Sequence, residues 1–201
     1  MKVVEMSKNP INDSLETKDL ILAISEKLFS LYGYIGVSMR TIAESLNISK
    51  PALYYHFKSK QELYFEVLTH SSNEFIESLE EVVNQTTPLK RKLRDVIIVY
   101  LDYCSKKKDM VHLMMQKVSE QDREVMDFVS GISKNVINLL EPLIKELLIV
   151  NKKMKKVDSQ FVTRLFIGIM NSFIISESLA GKSKYNSKQV ADQIIELSFN
   201  K

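Results

Sequence analysis

Cysteine is nearly absent. Cys104 is the single one in 201 residues, which excludes an internal disulfide and a framework of paired cysteines around a metal. Glycine (5) and proline (4) are scarce, so few turns are signalled and long helices are favoured over many short strands. Long hydrophobic runs are lacking too. The most apolar stretch, Leu165 to Ile175, follows Arg164 and contains Gly168, Asn171 and Ser172, which makes it too short and too polar to span a bilayer. The N-terminus has no basic segment followed by an apolar run, so no signal peptide and no membrane attachment are expected, and the chain reads as cytoplasmic and reduced. The three histidines, His56, His70 and His112, have no metal-ligand spacing. Gly181-Lys182-Ser183 looks like the end of a phosphate-binding loop, but Ser176 stands where the earlier glycine is required. There is no nucleophile-elbow motif. The expectation is a protein that is not an enzyme and holds neither metal nor cofactor.

What is present is 45% hydrophobic and 26% charged residues, a normal balance for a globular protein. The net charge is only +3, but its distribution is uneven. Between Ser38 and Lys60 stand Arg40, Lys50, Lys58 and Lys60 against Glu44 alone, as much net charge as the whole chain carries. Residues 1–16 show no periodicity and read as a flexible arm. The spacing of Ile21, Ser25, Leu28 and Leu31 predicts a helix from Thr17, stopped near Gly33. Ser38 suits the cap of a short helix from Met39 to Leu46. Ser49 suits the cap of another from Lys50 to His56, with Pro51 in its first turn. Ser59 caps a fourth helix running to about Asn84. Further helices are read at 88–107, 109–117, 120–150, 158–180 and 187–199. The fold expected is all-α with about nine helices. A three-helix head at 17–63 precedes a helical body at 64–201, the two joined within the fourth helix.

Two short helices joined by a tight turn, after a longer one, is the layout of a helix-turn-helix head. Ile42 with Leu46 and Leu53 with Phe57 are i,i+4 pairs that could close on Ile21 and Leu28, with Ile48 in the turn. That leaves Lys50, Pro51, Ala52, Tyr54, Tyr55 and His56 facing outward. Ser, Tyr, His and Lys can donate to phosphate oxygens, which fixes register on a duplex, and a lysine or a ring can read base edges. Pattern alone leaves open a solvated polar helix in an ordinary bundle.

The stretch from Asp19 to Leu68 resembles the head of the TetR family along its full length. The landmarks are Ile21, Leu28-Phe29, Gly33-Tyr34, Ile42-Ala43, Ile48-Ser49, Leu53-Tyr54-Tyr55-His56-Phe57, Lys60 and Leu63. The resemblance implies that Ser38, Tyr55, His56 and Lys60 contact phosphates and that Arg40, Lys50, Pro51, Ala52 and Tyr54 face the major groove. Thr41 and Ser49 complete the expected DNA-binding set. Asn47 stands where the family often has glycine, and asparagine tolerates the left-handed conformation needed there. Met39 replaces a common threonine or serine, which removes one phosphate contact. The implied function is a ligand-responsive transcription regulator. It would bind a palindromic double-stranded operator as a homodimer and repress until a small hydrophobic ligand releases it. The alternative is a DNA-binding regulator controlled by a protein partner.

In the body, Gly168, Ser172, Ser176 and Ala180 recur every four residues and permit close helix approach. With Val190 and Ile194 of the last helix they form the expected dimer interface, packing within the chain being the other reading. The expected ligand pocket is lined by Tyr100, Tyr103, His112, Met115, Phe128, Phe166, Met170, Asn171 and Phe173. Such stripes also serve as plain core, and nine methionines suit an adaptable interior.

Overall fold

The computed structural model describes residues 10–107, 111, 123–151, 156–180 and 186–199. The expected arm up to residue 9, His112, Met115, most of the expected 109–117 helix, most of the loop after Asn151 and the turn after Ala180 lie outside the described residues. The described residues form helices and no strands: α1 Pro10–Gly36, α2 Met39–Ser45, α3 Lys50–His56, α4 Lys60–Val83, α5 Leu89–Lys106, α6 Arg123–Val150, α7 Ser159–Ala180 and α8 Ser187–Phe199. They divide into two compact units, Met1–Ser71 and Ser72–Lys201, and the division falls inside α4.

In the first unit, α1 starts at Pro10, seven residues before the expected Thr17. A proline at the first helical position sacrifices no hydrogen bond, so it starts a helix as readily as it ends one. Gly33 does break the helix, at φ 71° and ψ 166°, but a further short turn follows to Gly36. The turn between α2 and α3 is a Schellman motif. The Ile48 amide donates to the Ala43 carbonyl (3.0 Å) and the Asn47 amide to the Glu44 carbonyl (3.1 Å). Asn47 takes the left-handed φ of 53° that this motif needs. Ser59 accepts from the Glu62 amide at 3.0 Å while the Glu62 carboxylate accepts from the Lys58 amide at 2.8 Å, a variant of the capping box that starts α4. Ile21, Phe29, Ile42, Leu53, Phe57 and Leu63 are each exposed by 1% or less and form the core. Phe29 takes the place expected of Leu28, which is only half-buried.

The second unit buries one stripe from each long helix in a single core. Phe75 and Leu79 come from α4; Leu93, Ile97 and Tyr100 from α5; Leu140, Ile144 and Leu147 from α6; Phe166 and Met170 from α7; Val190, Ala191 and Ile194 from α8. Asp158 caps α7 by accepting from the Phe161 amide (2.7 Å). Asn186 and Gln189 cap α8 reciprocally, at 2.9 and 3.1 Å. Arg94 of α5 grips Asp192 of α8 with two nitrogens.

Candidate nucleic-acid interface

Both short helices of the first unit begin on a serine whose side chain is spent on the backbone. Ser38 Oγ accepts from the Thr41 amide at 3.1 Å and lies 2.8 Å from Thr41 Oγ1. Ser49 Oγ accepts from the Ala52 amide at 3.2 Å. These caps fix where each helix starts and therefore which side chains turn outward. On α3, Leu53 is buried completely, and Phe57 just beyond the helix is buried with it. The opposite side presents Lys50, Pro51, Ala52, Tyr54 and Tyr55, all exposed, with Tyr55 open over 82% of its surface. The His56 ring is half-buried and meets the Tyr55 ring edge-on at 5.2 Å. On α2, Ser38 and Arg40 are exposed and Thr41 is half-buried. The fold therefore brings ten of the eleven expected DNA-contacting residues onto two short helices and their caps, with cationic, hydroxyl and phenol donors among them.

Two placements were not expected. Arg40 donates to Glu44 at 2.6 Å, and this hydrogen bond, reinforced by the carboxylate's charge, raises the guanidinium pKa above its ordinary range. The i,i+4 spacing of the pair was visible in the sequence. Lys60, the eleventh residue, turns its ammonium inward. Nζ donates to the Tyr34 carbonyl (2.9 Å) and the Val37 carbonyl (3.0 Å) and sits 4.2 Å from the centre of the Tyr34 ring.

The second unit brings several of the residues expected to line a pocket into or against its core. Tyr100 is buried, and its hydroxyl donates to Asn171 Oδ1 at 2.7 Å. The Phe75 ring lies 5.1 Å from the rings of both Tyr100 and Tyr103. Tyr103 is half-buried and donates to Glu74 at 3.2 Å, and Lys107 pairs with the same carboxylate at 3.5 Å. Phe166 and Met170 are buried in the core; Phe128 and Phe173 are half-buried. Met126 is 43% exposed. Burial raises the Tyr100 phenol pKa, and Cys104 adds to the effect; burial pushes the Cys104 thiol up to about 12, so it stays a neutral core group. Among the described residues no group of three His, Cys, Asp or Glu side chains could hold a metal ion, and no helix is long and apolar enough to cross a membrane.

The small-residue stripe of α7 faces solvent. Gly168, Ser172 and Ser176 are exposed, and a Cβ built on Gly168 would meet nothing within 4 Å. The side chain of Ala180 is outside the described set. Phe161, Leu165 and Ile175 flank the stripe, at 63%, 51% and 44% exposure. A shallow groove of about 370 Å³ runs along Arg164, Leu165, Gly168, Ile169, Ser172 and Phe173. Val190 and Ile194 are not on this face. They are 3% and 7% exposed and pack into the core of their own chain, which corrects their assignment to a dimer interface. An apolar stripe records that a helix buries one side, and not whether the partner is its own chain.

Similarity to known proteins divides at the same helix. Residues 21–67 match the profile of bacterial regulatory proteins of the tetR family, and residues 68–200 match the YsiA-like protein, C-terminal region. The chain is 40% identical over 62 residues to the biofilm operon icaADBC HTH-type negative transcriptional regulator IcaR of Staphylococcus epidermidis, a match covering 31% of this chain and 34% of the relative. It is 31% identical over 88 residues to the HTH-type transcriptional activator FasR of Mycolicibacterium smegmatis, covering 44% of this chain and 40% of the relative. Across 88% of this chain and 95% of the other, the fold matches the transcriptional regulator FadR of Bacillus subtilis, solved in complex with stearoyl-CoA, with a TM-score of 0.73 at 17% identity. With both of its parts matched in sequence and most of its length matched in fold, the chain belongs to the TetR family of bacterial regulatory proteins.

Proposed function

We propose that the protein is a homodimeric repressor that binds a palindromic operator through α2 and α3 and is released by a ligand with a long apolar chain, of the acyl-CoA class. The observation that carries the DNA-binding part is the outer side of α3. Tyr54, Tyr55, Lys50 and Ala52 are exposed on a short helix whose opposite side is locked into the core. Such a helix has no packing reason to display two tyrosines, and phenols and a lysine are suited to phosphates and base edges.

Dimerisation is supported by the α7 stripe. One head offers few contacts, and two heads on a palindrome multiply them. The exposed small residues between Phe161, Leu165 and Ile175 form a face with no cover among the described residues. The same face would suit a protein partner, so the oligomeric state discriminates between the two regulators. The ligand class is supported by the apolar core carrying one placed polar pair, Tyr100 with Asn171. It is supported also by the stearoyl-CoA in the FadR structure. IcaR is named a negative regulator and FasR an activator, so relatives of this chain differ in sign; repression is the sign proposed.

The test is fluorescence anisotropy on a labelled duplex from the intergenic DNA upstream of the chain's own coding sequence, with sedimentation velocity and a stearoyl-CoA titration. Tight, salt-dependent binding by a dimer is expected, weakened about tenfold by Tyr55→Ala and reversed by stearoyl-CoA. Binding no better than to random DNA would sink the operator reading. A monomer in solution would favour the protein-partner alternative. Stimulation of transcription from that promoter in vitro would reverse the sign.

A further inference from the structure

The segment from Gly33 to Ser38 is the last turn of α1 and its join to α2. It contains two glycines, Gly33 and Gly36, the first at a φ of 71°, and Ile35 between them is 84% exposed. Two of its carbonyls are nevertheless satisfied. The Tyr34 carbonyl belongs to the last turn of α1. The Val37 carbonyl immediately precedes Ser38, the cap of α2. Both accept from the same ammonium, that of Lys60 at the start of α4, which also covers the Tyr34 ring. An ammonium has three donors, and two of these are committed here.

We propose that Lys60 is a positioning residue. It clamps the α1–α2 connection in the form that presents Ser38, Arg40 and Thr41 to DNA, and it does not itself bind phosphate. The inference rests on the DNA-binding reading above for its functional part, and on the two hydrogen bonds for its structural part. Lys60 acts through Ser38: with the Val37 carbonyl held, the Ser38 hydroxyl stays in reach of the Thr41 amide that it caps. A lysine at a phosphate contributes a charge; a lysine in this clamp contributes geometry.

The two roles separate on a short random-sequence duplex, where binding is almost wholly a matter of phosphates. The variants are Lys60→Met and Lys60→Arg, with Lys50→Ala as a comparator whose ammonium is exposed. For Lys60→Met the expected result is a several-fold loss of affinity with the slope of log K against log salt unchanged. Exchange at the Thr41 amide should quicken while exchange at the Ala52 amide does not, and Lys60→Arg should restore both affinity and protection. Lys50→Ala should instead lower the slope by about 0.9, the value for one lost phosphate contact. A slope lowered by Lys60→Met, or Thr41 and Ala52 quickening together, overturns the proposal. If Lys60→Met does not fold, Lys60→Gln, which removes the charge and shortens the reach to both carbonyls, is held to the same outcomes. If the wild-type protein binds no duplex, the DNA reading falls, while Thr41 exchange still reports whether the clamp exists.

Discussion

The two units are specified by different kinds of information. In the first, three successive helices start on serines, Ser38, Ser49 and Ser59, each accepting from the amide three residues on. The turn is set by a single left-handed asparagine. These are local rules, set by residues close in the chain to the backbone they control. In the second unit the helices are mostly longer, and α5 starts at Pro88 without a side-chain cap bond. There the structure depends on apolar stripes meeting across the chain. The difference matters for reading function. Where local rules fix the backbone, an exposed Tyr55 or Lys50 is surplus to folding and stands out. Where stripes do the work, core, pocket and interface are written in the same residues.

Phe57→Ala tests that contrast most severely. Emptying a site that is 1% exposed costs about 3–5 kcal/mol, enough to melt a small three-helix core. Circular dichroism should then show a lost first unit below a persisting helical transition from the second; one shared transition would mean the two regions fold as a single unit. Asn171→Leu is the counterpart in the second unit. It leaves the buried Tyr100 hydroxyl without its acceptor, at a cost of about 1–3 kcal/mol. It should lower that unit's melting temperature and leave ligand-free DNA affinity as it was. Asn47→Ala should cost about 1 kcal/mol through the left-handed backbone, and Asn47→Gly should be tolerated. Equal effects of the two in denaturant titrations would remove the turn from the list of local determinants.

The smallest effect concerns pH. Arg94 holds the Asp192 carboxyl below its ordinary range, chiefly by hydrogen bonding. A lowered folded pKa means the pair's stabilisation is present above the unfolded value, about 3.9 for aspartate, and is lost as pH falls through the folded one. Asp192→Asn should flatten the acid side of the melting-temperature profile slightly, because the pair is exposed. No change at all below pH 4 would mean that the pair contributes nothing there.

Most of the first unit was legible because its signals are short-range. The serine caps, Pro51 in the first turn of α3 and the strained residue at position 47 are all found within a few residues of what they control. The inward turn of the Lys60 ammonium was not legible because its partners, the carbonyls of Tyr34 and Val37, lie more than twenty residues away, and backbone carbonyls leave no trace in a sequence. Pro10 was read with the arm because a proline marks both ends and starts of helices. In the second unit the helices themselves were legible from their periodicity, but the direction each side faces was not. Val190 and Ile194 look like interface residues until α5 is seen beside α8, tied by Arg94 and Asp192. Gly168 and Ser172, read from small size alone, do face outward.

That α4 runs unbroken across the boundary between units sets a rule for exchanging heads among such regulators. No linker is available to absorb an error at the splice. One residue too many or too few inside Lys60–Val83 would turn everything beyond it by about 100° and shift it by about 1.5 Å. A chimera joined in this helix should therefore keep its length, since even a seven-residue change, which nearly restores the phase, would shift the rest by about 10 Å.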